Sequence, residues 1–121
     1  MLEALGQIKF NLDGNLSIKE KNFYILLKKM DGLSKNIAAI CAAPLVLMDA
    51  GILGKRYITS HPSVQNDLQG INYKDDRVVV DGNIVTSKSP GTAMEFALKL
   101  VAILFGQERR DVVNKGVLAK I

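Results

Sequence analysis

The chain of 121 residues has no tryptophan, one cysteine, one histidine and three prolines. A single cysteine excludes an internal disulfide, which is typical of a protein in a reducing compartment, and we expect a cytoplasmic protein. The most apolar stretch, residues 96–105, is interrupted by Lys99 and is too short to cross a bilayer. The N-terminus has no basic segment followed by a long apolar one, so we expect neither a secretory signal nor a membrane partner.

A basic stripe is also missing. The chain carries 16 Lys and Arg against 12 Asp and Glu, a net charge of +4, but the basic residues are dispersed and not interleaved with aromatic ones. This distribution predicts no dedicated nucleic-acid surface. The composition, 48% hydrophobic and 23% charged, is that of an ordinary globular protein, without internal repeats, low-complexity runs or linkers. Residues 1–121 are therefore predicted to form one domain, long enough to bury a core.

The sequence does contain alternating helical and strand-like segments. Helical patterns cover residues 16–32, 44–50, 90–105 and 107 to about 115, and strand-like patterns cover 37–40, 57–60, 77–80 and 83–86. Asp81-Gly82 predicts a hairpin between the last two strands, and Thr92 with Glu95 are spaced as a capping box. Residues 7–12 alternate loosely like a strand. This order predicts an α/β fold with a mostly parallel sheet, and the few strands available suggest the second part of a larger doubly wound domain.

The most informative segment is Ile37–Pro44, an apolar run that contains the cysteine and leads into an amphipathic segment. Such a run is typical of a strand buried on both faces, so Cys41 is predicted to lie where this strand turns into a helix. A thiol at that edge of the sheet, near the first N–H groups of the helix, gains nucleophilic thiolate character. The alternative is that Cys41 is a small buried hydrophobic residue, as lone cysteines often are.

His61 follows the strand-like segment 57–60 and precedes Pro62. If the strands before Cys41 and His61 are parallel, both side chains emerge at the carboxyl edge of the sheet, where α/β ligand sites form. A thiolate–imidazolium pair at this edge adds to carbonyl carbons, with the histidine moving the proton. Taken alone, a histidine before a proline is more often a turn residue, so the pairing stays open.

Four ordered motifs resemble the ThiJ/PfpI superfamily, and most closely its branch of parkinsonism-associated protein deglycases. They are the elbow 38–44, the His-Pro turn 59–62, the hairpin 77–87 and the helix start 89–97, with Ser89 where glycine is usual. The resemblance covers about residues 15 to 110. It implies a flavodoxin-like, three-layer α/β/α fold with a mostly parallel sheet that is incomplete at the N-terminus. The missing part comprises the first strands, a glutamate that hydrogen-bonds the cysteine and a Gly-Gly turn, and neither Glu3 nor Glu20 is assigned that glutamate's role.

The same resemblance implies a function. Cys41 would be an oxidisable nucleophile, His61 its partner, and the backbone N–H of Ala42 part of an oxyanion site. The implied enzyme is a glyoxalase or deglycase, a hydrolase or lyase that acts on methylglyoxal-type dicarbonyls or their amine and thiol adducts. It needs no cofactor or metal, forms a homo-oligomer, usually a homodimer, and is linked to oxidative stress. Two alternatives remain: a catalytically weak redox-sensing or chaperone-like binding protein, and an incomplete gene product that folds poorly alone.

Overall fold

The computed structural model describes residues 18–121, with side chains from residue 21 onward. The predictions for residues 1–17, including the strand-like segment 7–12 and the start of the first helix, lie outside this range. The helices are α1 (Ile18–Gly32), α2 (Pro44–Asp49), α3 (Ala93–Phe105) and α4 (Gln107–Val117), with short 3-10 helices at Pro62–Asp67 and Pro90–Thr92. The strands are β1 (Ile37–Ile40), β2 (Tyr57–Ile58), β3 (Asn72–Tyr73), β4 (Val78–Asp81) and β5 (Ile84–Ser87).

The strands form two small sheets. One has the order β1-β5-β4, and the other pairs β2 with β3. β1 and β5 are parallel, with Ile37 opposite Ile84 and Ile40 opposite Ser87, and β2 and β3 are also parallel. β4 and β5 form the antiparallel hairpin, one residue later than predicted, with Gly82 at φ 58 in the left-handed turn. The mixed α/β fold with mostly parallel strand pairing is therefore confirmed.

The main core lies between α1, α2 and the sheets. Its buried members are Tyr24, Leu27, Ile37, Ala39, Val46, Leu47, Ala50, Ile52, Leu53, Ile58, Leu68 and Ile84. Successive residues of a strand face opposite sides of a sheet, so Ile84 joins this core while Val85 faces away from it. α3 contacts β4 and β5 and buries Leu98. Helices thus cover the sheet from both sides, as the apolar character of β1 requires.

Arg56 connects the end of α1 to the β4–β5 hairpin. Its Nη2 donates hydrogen bonds to Asp31 Oδ1 at 2.9 Å and to Asn83 Oδ1 at 3.1 Å. The Asn83 amide donates in turn to Asp31 Oδ1 at 3.0 Å and to the Lys35 carbonyl at 2.8 Å. All three side chains are half-buried, so the loss of one partner would leave polar groups without a hydrogen bond and would lower the stability of the fold. The network fixes the chain just before β1 against the start of β5.

The predicted capping box at Thr92 and Glu95 is wrong. Glu95 instead accepts hydrogen bonds from Arg77 Nε, at 2.8 Å to Oε1 and 2.9 Å to Oε2. Thr92 Oγ1 accepts from the Ser89 N–H at 3.1 Å, within the 3-10 turn Pro90–Thr92 that precedes α3. The cap therefore lies one turn earlier than predicted, and an arginine distant in sequence provides a charged partner for Glu95 that the local spacing does not reveal.

Replacing Arg56 by methionine removes the guanidinium that donates to both Asp31 and Asn83, and it keeps most of the apolar part of the side chain. We expect the free energy of unfolding to fall by about 2 kcal/mol, because Asp31 and Asn83 lose a charged partner in a half-buried place. Urea denaturation measures the change. Arg109→Met is the matched control, since Arg109 is exposed and its side chain has no hydrogen-bond partner within the described part of the chain. Equal losses in the two variants would contradict the role of Arg56.

The Arg77–Glu95 pair predicts a component of acid sensitivity. The hydrogen bonds from Arg77 lower the pKa of Glu95; desolvation opposes this effect and the attraction between the charges adds to it. Because the folded pKa lies below the unfolded one, the pair stabilises the fold above the ordinary Glu pKa, and this stabilisation is lost as the pH falls through the folded value. We expect a small stability difference between wild type and Glu95→Gln at neutral pH that shrinks below about pH 4. A difference that does not change with pH in a denaturation series would refute this assignment.

Candidate active site

Cys41 lies directly after β1, at the turn that leads into α2. Its φ of 65° is in the left-handed region, which residues with a side chain rarely adopt. Two hydrogen bonds hold the turn: the Cys41 N–H donates to the Ser87 carbonyl at 3.1 Å, and the Ala43 N–H donates to the Ile40 carbonyl at 3.1 Å. The cysteine is half-buried. The strand-to-helix elbow that the sequence predicts is therefore present, with Cys41 as its strained residue.

Ala42 carries an open backbone donor beside the thiol. Ala42 is exposed, and its N–H has no acceptor among the described residues. The next N–H, that of Ala43, is occupied by Ile40, and Pro44 has none. α2 has only 6 residues, so its dipole adds little to the local field. The hydrogen-bonding capacity of the elbow therefore comes from a single peptide group rather than from a helix end.

His61 lies against the elbow through its backbone. The His61 N–H donates to the Cys41 carbonyl at 2.9 Å, so the two residues meet at one edge of the fold. The imidazole is also the cap of the 3-10 helix Pro62–Asp67: its Nδ1 accepts from the Ser63 N–H at 3.1 Å and lies 2.7 Å from Ser63 Oγ. Because Nδ1 accepts, the neutral ring carries its proton on Nε2. His61 therefore has the turn role, and its backbone meets that of Cys41, while the pairing of the imidazole with the thiol stays a prediction.

Two side chains that the sequence did not single out hold the segment before His61. The Thr59 N–H donates to Thr86 Oγ1 at 2.9 Å, and Tyr73 Oη donates to the Ser60 carbonyl at 3.0 Å. Thr59 and Ser60 are completely buried, so their backbone groups need protein partners. The sequence carries no signal for these contacts, because each joins residues that are distant along the chain.

A cavity of about 740 Å³ lies elsewhere, between the start of β4 and the helices α3 and α4. Its lining includes Arg77, Glu95 and Arg110 but neither Cys41 nor His61. Arg77 is paired with Glu95, and Arg110 donates to Asp111. The candidate site is therefore defined by the elbow geometry and not by this cavity.

Neither a metal cluster nor a membrane-spanning helix is found in the described part of the chain. Among the residues whose side chains the structure describes, no group of three or more His, Cys, Asp or Glu is placed to hold a metal ion. Of the helices α1 to α4, none is both long enough and apolar enough to cross a membrane.

The sequence matches the model of the DJ-1/PfpI family over residues 14–103. It is 46% identical over 95 residues to the Protein dj-1beta of Drosophila melanogaster, covering 77% of this chain and 51% of that protein. It is 46% identical over 87 residues to the glutathione-independent glyoxalase DJR-1.2 of Caenorhabditis elegans, covering 69% of this chain and 46% of that protein. The chain spans about half the length of these curated relatives.

A solved structure shares the architecture. The crystal structure of Drosophila melanogaster DJ-1beta superposes with a TM-score of 0.80 at 39% sequence identity, over 96% of this chain and 57% of that one. The flavodoxin-like α/β fold that the sequence motifs implied is confirmed by this likeness.

The left-handed backbone at Cys41 predicts an unusual order of stability among thiol-free variants. Glycine adopts this conformation without strain, whereas alanine keeps the unfavourable Cβ. We expect Cys41→Gly to unfold with a free energy about 1 kcal/mol higher than Cys41→Ala in urea denaturation. Ala43→Gly is the control, because Ala43 has a φ of −60° and glycine there should be destabilising. An alanine variant at residue 41 that is more stable than the glycine variant would contradict the strain.

Proposed function

Because the chain belongs to the DJ-1/PfpI family, we propose that it performs cysteine-dependent glyoxalase or deglycase chemistry. The substrates are methylglyoxal-type dicarbonyls or their amine and thiol adducts. The observation that carries the proposal is the 2.9 Å hydrogen bond from the His61 N–H to the Cys41 carbonyl. It brings the only histidine and the only cysteine of the chain to one edge of the fold. A relative named a glutathione-independent glyoxalase supports reactive carbonyls as the substrate class.

In the proposed reaction the Cys41 thiolate adds to the aldehyde carbon of methylglyoxal, and the carbonyl electron pair moves to oxygen. His61 takes up the proton that the thiol releases, and the resulting imidazolium returns it from Nε2 to this oxygen. In the charged ring Nδ1–H donates to Ser63 Oγ, which lies 2.7 Å away, and the N–H of Ala42 donates a hydrogen bond to the substrate oxygen. The hemithioacetal then transfers hydrogen from the former aldehyde carbon to the neighbouring ketone carbon, which gives a thioester of lactate. Water hydrolyses the thioester to lactate and the free thiol. One carbon is oxidised while its neighbour is reduced, so the sum consumes only water.

Two features of the elbow support a reactive rather than a structural cysteine. Cys41 is half-buried, whereas inert structural cysteines are enclosed in apolar surroundings. The φ of Cys41 is also strained, and strained backbone conformations occur more often at active sites than in structural turns. We extend the proposal to residues 1–121 as one folding unit, and keep the homodimer, the cytoplasmic location and the link to oxidative stress as predictions.

Incubation with methylglyoxal tests the proposal directly. We expect the purified chain to consume methylglyoxal and form lactate, followed by proton NMR. Cys41→Ser and His61→Gln should lower the rate at least about 100-fold, because the nucleophile and the proton donor are lost. Arg109→Met is the control and should keep the wild-type rate. A single cooperative urea transition for each variant establishes that it is folded. Wild-type turnover in Cys41→Ser would refute cysteine dependence.

A second candidate function, a redox-sensing or chaperone-like binding protein, is supported by a different observation. α3 and the end of α4 leave large apolar side chains in solvent, with Phe105 71% and Leu118 73% exposed. Where such side chains form one continuous patch, the patch marks a site that binds other proteins. In the same experiment, absence of turnover in a folded wild type, together with suppression of client aggregation by Cys41→Ser, would favour this candidate over the enzyme.

A further inference from the structure

Tyr73 lies beside the segment that carries His61. It is the second residue of β3, opposite Ile58 in the parallel pair with β2. The side chain is half-buried and packs against the main core. The pairing of the two strands closes with the hydrogen bond from the Lys74 N–H to the Ile58 carbonyl at 2.9 Å. Beyond this point the chain continues through Ser60 to His61 without a strand partner on the β3 side.

The Tyr73 hydroxyl takes the place of that partner. Its Oη donates to the Ser60 carbonyl at 3.0 Å and accepts from the Ser60 N–H at 3.3 Å. It also lies 3.3 Å from Ser60 Oγ, which donates to the His61 carbonyl at 3.0 Å. Ser60 is completely buried, so water does not compete for these groups. One phenol oxygen therefore satisfies the peptide groups on both sides of Ser60.

The peptide bond between Ser60 and His61 joins this hydroxyl to the elbow. Its carbonyl accepts from Tyr73, and its N–H donates to the Cys41 carbonyl at 2.9 Å. Because a peptide group is planar, a partner that fixes the carbonyl also fixes the direction of the N–H. We propose that Tyr73 is a positioning residue that sets the orientation of His61 toward Cys41. This inference rests on the proposed pairing of Cys41 with His61, and Tyr73 acts only through the histidine.

Tyr73→Phe removes the hydroxyl and keeps the ring, and Tyr57→Phe is its matched control. Tyr57 lies on the adjacent β2, its hydroxyl has no hydrogen-bond partner among residues 21–121, and the centre of its ring lies 4.8 Å from the Lys74 Nζ. Cys41 is the only thiol, so its alkylation by iodoacetamide reports the site without turnover. We expect Tyr73→Phe to slow alkylation at neutral pH about five-fold and to move the rate profile to higher pH, since a misaligned histidine stabilises the thiolate less. Tyr57→Phe should match the wild type.

The His61→Gln background separates positioning from general stability. If Tyr73 acts through His61, Tyr73→Phe has no further effect on alkylation once His61 is replaced. A wild-type profile in Tyr73→Phe, or an equal slowing with and without His61, overturns the inference. A Tyr73→Phe chain that does not fold cooperatively overturns the inference as well, because the hydroxyl is then required for folding and not for the position of His61. A wild-type profile in His61→Gln alone would instead contradict the proposed pairing, so the two failures are distinguishable.

Discussion

The parallel pairing of β1 with β5 determines where the functional groups of this molecule lie. Its register ends with Ile40 opposite Ser87, and the Cys41 N–H extends it by one hydrogen bond to the Ser87 carbonyl. This bond leaves the cysteine as the first residue outside the sheet, where the chain must turn sharply into α2. The left-handed φ of Cys41 follows from that requirement. The apolar strand therefore supplies rigidity, and the elbow places a thiol and an open peptide N–H side by side.

The segment that carries His61 is held at this edge by side-chain hydrogen bonds as much as by strand pairing. From residue 57 to residue 61, every second N–H points to the larger sheet: Tyr57 donates to Asp81 Oδ2 at 2.8 Å, and Thr59 donates to Thr86 Oγ1 at 2.9 Å. His61 completes the series at the Cys41 carbonyl. The segment thus keeps the period of a strand although only two of its residues are assigned to β2. The side-chain oxygens of Asp81 and Thr86 accept the hydrogen bonds that the backbone carbonyls of a neighbouring strand would accept in a regular sheet.

Local patterns made much of this predictable. The apolar run Ile37–Ile40, the Asp81-Gly82 hairpin and the helix that begins at Gln107 depend on nearby residues, and each was found close to its predicted place. The strand predicted over 57–60 was found shorter, and the two residues of β3 carry no periodic signal. Glu95 was misassigned because Arg77 approaches it only in the folded chain. The elbow and its cysteine were likewise predictable from sequence, whereas the contacts of His61 with Ser63 and of Ser60 with Tyr73 are visible only in the folded chain.

The division into two small sheets has a consequence for how the site withstands heat. Cys41 belongs to the three-stranded sheet, and His61 follows the two-stranded one. A two-stranded unit that is held largely by side-chain hydrogen bonds opens at a lower free energy than the three-stranded sheet beside it. Its amide hydrogens therefore exchange with solvent sooner. On warming, the backbones of Cys41 and His61 should therefore separate by local opening of the β2–β3 unit while β1, β5 and their helices are still folded. Local opening of the β2–β3 unit would then limit the candidate site at a temperature below the melting point of the chain.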